Sequence, residues 1–105
     1  MSAPLTEKEF SKHVNTKFRV TGDQPVELEL TEVKAYMGQS NEQSDMERFS
    51  AFFHGPGDRC LPQATYAVEH EGMGAFELFL VPIAKNEKGF RYEAVFNYFK
   101  AKAID

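Results

Sequence analysis

A base, an acid and a nucleophile fall close together in one short segment of this chain, as His54, Asp58 and Cys60. A thiol nucleophile needs an imidazole within hydrogen-bond reach of its sulfur, and a third group to orient that ring. The residues between them, Gly55-Pro56-Gly57 and then Arg59, predict no fixed geometry for such a pair. Turn chemistry explains the same composition more simply. Glycine permits positive φ, Pro56 stiffens the backbone, and Asp58 accepts hydrogen bonds from nearby amides. His54, Asp58, Arg59 and Cys60 are therefore a candidate loop site, with a Cys/His enzyme the least favoured of the functional readings.

Other chemistry is no better supported. His13, His54 and His70 occur without a second His or Cys at ligand spacing, so no metal site is expected. His13, on an apolar helical face, reads as a structural histidine, and His70, between Glu69 and Glu71, as a solvated strand end. Gly55-Pro56-Gly57 and Gly72-Met73-Gly74 begin like a dinucleotide fingerprint, but neither has the third glycine or opens a helix. Glu27, Glu29 and Glu32 lack the oxygen-rich loop of a calcium site and read as the charged outer face of a strand, with Arg91 and Glu93 available for cross-strand pairs. No cofactor is expected.

The 105 residues are enough for one domain over 1–105 with its own core. Ten Phe and four Tyr make that core aromatic. A net charge of −4, with both signs interspersed, argues against a nucleic-acid groove, and Lys100-Ala101-Lys102 reads as part of a solvated tail. One cysteine allows no internal disulfide, and a reducing compartment fits best. The opening Met-Ser-Ala-Pro lacks the layout of a secretory signal, and no apolar run approaches membrane-spanning length, so a cytoplasmic, soluble protein is expected.

Elements able to position these residues follow from hydrophobic period. Thr6 and Glu9 have capping-box spacing, Leu5 and Phe10 that of a hydrophobic staple, and Phe10, His13 and Val14 share a helical face. This predicts a short helix ending near Asn15 and closing one end of a sheet structure. Beyond Lys17 the period becomes two: Phe18 and Val20, then Val26, Leu28 and Leu30. Val33 and Ala35 fall on the opposite parity, which one extra residue near Thr31-Glu32, a β-bulge, would correct. Further strands are expected over Phe49–Phe53, Tyr66–His70, Phe76–Val81 (with Pro82 near its end) and Phe90–Tyr98. Residues 38–46 are predicted to form a mobile loop, and 1–4 and 100–105 flexible tails. Short turns leave no room for crossover helices, so the fold class is mainly β: a small antiparallel barrel or compact sandwich of about six strands with a short N-terminal helix.

Phe52, Phe79 and Val95 lie opposite the main apolar stripes and form the candidate interaction surface. The strings Arg48–Pro56 (RFSAFFHGP), Leu61–Tyr66 (LPQATY), Gly74–Pro82 (GAFELFLVP) and Tyr92–Asn97 (YEAVFN) resemble a small bacterial domain family of unknown function, over nearly the whole chain. That resemblance carries no catalytic residues. It implies stand-alone proteins, some beside phage-tail-collar-type proteins, and hence an accessory or assembly role. The leading expectation is a non-catalytic interaction module with a protein partner, or a second copy in a homodimer, and no nucleic acid or membrane. The alternative is a small-ligand-binding β-barrel, which would require an aromatic-lined cavity.

Overall fold

The computed structural model describes residues 5–22, 24–35 and 46–99. The tails expected at 1–4 and 100–105, and the loop expected over 38–46 except for Met46, lie outside them; Met46 itself begins a strand. The described elements are α1 (Glu7–Ser11), β1 (Lys17–Val20), β2 (Val26–Ala35), β3 (Met46–Gly55), β4 (Ala64–His70), β5 (Gly74–Asn86) and β6 (Gly89–Phe99).

All strand pairs are antiparallel, and the sheet closes on itself in the order β1-β2-β3-β6-β5-β4. Of the two architectures open to the sequence, the barrel is the one adopted. Alternation places Phe18, Leu28, Leu30, Phe49, Phe53, Val68, Leu78, Leu80 and Tyr92 inside, each almost fully buried. Thr31 is the extra residue on β2: Leu30 pairs with Phe53 and Glu32 with Phe52. The Thr31 hydroxyl donates to the Phe52 carbonyl at 3.2 Å, and the bulge returns Val33 and Ala35 to the interior parity. A second bulge, absent from the sequence reading, sits on β5, where Pro82 pairs with Tyr92 and Ala84 with Arg91, leaving Ile83 extra. The strand therefore continues past Pro82 to Asn86, because a bulge tolerates a residue that cannot donate to the ladder.

The helix starts at the expected N-cap, with the Glu9 N–H donating to Thr6 Oγ1 at 3.1 Å, but the Glu9 carboxylate faces Lys12 and His13 and does not complete the capping box. It ends at Ser11, earlier than expected. The chain turns through Lys12–Asn15, Asn15 takes φ 74°, and its N–H donates to Leu30 O at 2.7 Å while Leu30 N–H donates to Thr16 O at 3.1 Å. These bonds to β2 replace the next helical turn. The short helix still drives Phe10 into one barrel end, its ring 6.1 Å from Phe18, 5.8 Å from Phe49, 6.0 Å from Phe76 and 5.3 Å from Phe96. One aromatic plug thus joins β1, β3, β5 and β6.

Candidate functional site

His54 belongs to β3 rather than to the loop after it. It stands on the outer face between Glu29 of β2 and Arg91 of β6, with Nε2 buried and unmatched by a hydrogen bond among the described residues. Asp58 is exposed, and the Arg59 guanidinium donates to the Gln24 carbonyl. Cys60 is exposed at the far end of the loop, its thiol directed to Leu61 O at 3.8 Å. No hydrogen bond joins His54 to Cys60 among the described residues. Two phenols position the loop instead. The Leu61 N–H donates to the Tyr92 hydroxyl at 2.9 Å, and the Tyr66 hydroxyl donates to Pro62 O at 2.5 Å. Burial pushes both phenols above the usual tyrosine range. The segment closes the barrel end opposite Phe10, with Leu61 buried beneath it.

The three apolar surface candidates have different environments. Phe52 is half-buried under Arg91, whose guanidinium carbon lies 4.5 Å from the ring centroid. Arg91 reaches across that ring to Glu32, at 3.0 Å, so the expected pairing of β2 and β6 charges is made over the intervening β3. Beside it Ser50 Oγ donates to Glu93 Oε2 at 2.6 Å. Phe79 and Val95 are open, at 48% and 54% exposure. Each lies two residues from the Val81↔Glu93 pair, Phe79 before Val81 and Val95 after Glu93, so they share the outer face of β5 and β6. Ile83, 44% exposed in the β5 bulge, extends this stripe. Sequence reasoning missed it because Pro82 reads as a strand terminator.

A second feature was misread from sequence. His70 is buried, at 8% exposure, and not a solvated strand end. Its Nδ1 accepts the Gly72 and Met73 N–H groups at 2.9 and 3.1 Å, and its Nε2 meets Thr16 Oγ1 at 2.8 Å. Its ring centroid lies 4.1 Å from Phe18 and 4.6 Å from His13. His13 in turn faces Glu9 at 3.4 Å, and a hydrogen bond from Lys12 holds the Glu9 carboxyl below its usual range. The charges Glu69 and Glu71 hid this burial: Glu69 points outward as the strand neighbour of an inward residue, and Glu71 already lies in the exposed turn. Among the described residues no group of three or more His, Cys, Asp or Glu side chains is placed to hold a metal ion, and no helix is long and apolar enough to cross a membrane.

No curated protein and no solved structure matches the chain. A family model described as "Domain of unknown function (DUF6916)" matches residues 5–96, from the staple residue before α1 to the Phe96 ring that packs on Phe10. The chain belongs to that family.

Proposed function

We propose that the protein is a non-catalytic interaction module that holds a protein partner on the outer face of β5 and β6. The observation that carries this reading is the exposed stripe of Phe79, Ile83 and Val95, the three large hydrophobic side chains standing open among the described residues. An exposed aromatic beside two branched aliphatics forms an apolar surface patch of the kind that marks a partner site. The barrel interior supports the same reading, since it is occupied by Phe10, Phe18, Phe49, Phe53 and Tyr92, which weighs against a ligand cavity. The genomic setting that the family resemblance implies makes a phage-tail-type assembly component the first partner to examine, in a cytoplasmic assembly role.

The test is a photo-crosslinker placed at position 79 or 95 of the chain, with Val95→Glu as the control for the first and Phe79→Glu for the second. The expected outcome is one specific crosslinked protein that both glutamate variants lose while their circular dichroism and thermal midpoint stay unchanged. Size-exclusion chromatography with light scattering separates a second copy of this chain from a different partner. Equal recovery by wild type and both variants would sink the proposal. Phe52→Glu is a poor control, because it also disrupts the Arg91 stack and the Arg91–Glu32 pair.

A further inference from the structure

The closing seam of the barrel runs between β1 and β4, through Arg19↔Glu69 and Val20↔Val68. Beyond Val20 it continues as a backbone bond, Thr21 N–H to Ala67 O at 2.9 Å. Toward the Phe10 end it is bolted by side chains, where His70 of β4 meets Thr16, the residue before β1. His70 Nδ1 accepts two amide N–H groups, so that nitrogen is unprotonated and the ring proton sits on Nε2. Nε2–H then donates to Thr16 Oγ1, whose own proton goes to His13 O at 2.6 Å. One neutral imidazole therefore ties three pieces together: the β4–β5 turn, the end of β4, and the turn that leads from α1 into β1. There is little slack at this point. A Cβ on Gly72 would lie 2.9 Å from His13 Cε1 and 3.4 Å from His70 Cε1.

We propose that His70 is a proton-sensitive latch on the barrel seam, whose protonation at Nδ1 frees the Gly72-Met73 turn. A proton on Nδ1 turns an acceptor into a donor facing two amide donors. It also places a charge against the Phe18 ring, in a residue 8% exposed. Met73, packed at 1% exposure, loses the turn that holds it in the core. The titratable and charged groups around the ring come from every neighbouring element. His13 packs edge-on at 4.6 Å, with Glu9 of α1 behind it. Glu71 follows in the turn, and Lys17, Arg19, Glu27 and Glu69 line the open surface beside it. Burial, and then His13, lower the His70 pKa from its ordinary value of 6.5, while Glu71 opposes them as the smallest influence. Because the folded-state value is the depressed one, the unfolded chain takes the proton first. The latch is complete above 6.5, and its contribution is lost as the pH falls through the folded-state value.

Histidine-resolved NMR on the full chain, with amide hydrogen exchange between about pH 7.5 and about pH 5, tests this linkage. Expected are an Nε2–H tautomer for His70 and titration below the ordinary histidine value. Protection factors at Gly72, Met73 and Thr16 fall by up to about tenfold per pH unit through local opening of the turn, while those of the β3–β6 ladder fall no more steeply and stay above them. His70→Asn carries a carboxamide oxygen near the Nδ1 position that accepts but does not titrate, and it is expected to abolish the local pH response. Three results would overturn the latch: titration of His70 at or above 6.5, pH-independent protection at these amides, or a wild-type pH response in His70→Asn. Should that variant not fold, the His70 titration in the wild-type chain decides alone.

Discussion

Tyr92 reads in the sequence as one apolar position in an alternating strand, but its hydroxyl has a separate task. It accepts the N–H of Leu61, 31 positions away in the chain, in a buried bond of 2.9 Å. Tyr92→Phe keeps the ring and leaves that amide unmatched, so a loss of about 1–3 kcal/mol is expected. Urea unfolding measures it, and a loss near zero would mean that water or another acceptor serves Leu61 equally well. Gly89 is a sharper case. Composition marks it only as a hairpin residue, yet it has φ 146° and a Cβ there would overlap the Gly55 carbonyl oxygen. Gly89→Ala is expected to destabilise more strongly than Tyr92→Phe, and a variant of wild-type stability would show that the hairpin relaxes freely. The same limit applies to His54 and Cys60. Their spacing was legible, but an outward strand position for one and a phenol-anchored loop for the other depend on partners distant in sequence.

At the scale of elements, local signals were readable wherever the chain's own period carried them. The Thr6 N-cap of α1, the parity switch at Thr31 and the outward alternation of Phe79 and Val95 all reappear in the structure. Two boundaries did not follow from period. The helix stops at Ser11 because Asn15 and Thr16 bond to Leu30, and β5 runs on past Pro82 because the bulge at Ile83 absorbs the missing donor. Both are decided by a neighbouring strand. The helix earns its stability from its cap and from Phe10 rather than from length, since five residues are too few to be stable alone. Thr6→Ala is expected to cost about 1 kcal/mol. Phe10→Ala, which removes the ring shared by four strands, is expected to cost about 3–5 kcal/mol. Equal losses in thermal unfolding would contradict the plug role.

For the whole molecule, barrel or sandwich could not be decided from the sequence. The difference rests on Arg19↔Glu69 and Val20↔Val68, pairs separated by about half the chain and marked by no local pattern. Closure removes the open edges that would otherwise offer unpaired backbone to other chains. It is also where the barrel is least continuous. The β3–β6 ladder runs unbroken from Met46↔Phe99 to Gly55↔Phe90, whereas the β1–β4 seam has its two pairs, the Thr21 bond and the His70–Thr16 bond. The Arg19–Glu69 ion pair across it, at 2.6 Å, is about half exposed on both sides, so it is worth at most about 1 kcal/mol. Arg19→Ser is therefore expected to change global stability only slightly. Val20, 3% exposed, carries the apolar side of the seam. Native-state hydrogen exchange is expected to show the seam amides opening at lower free energy than those of Phe49–Phe53, as a partial unfolding that leaves β3 and β6 paired. If the seam amides exchange only through global unfolding, the barrel opens as one unit and closure is no weaker than the rest of the sheet.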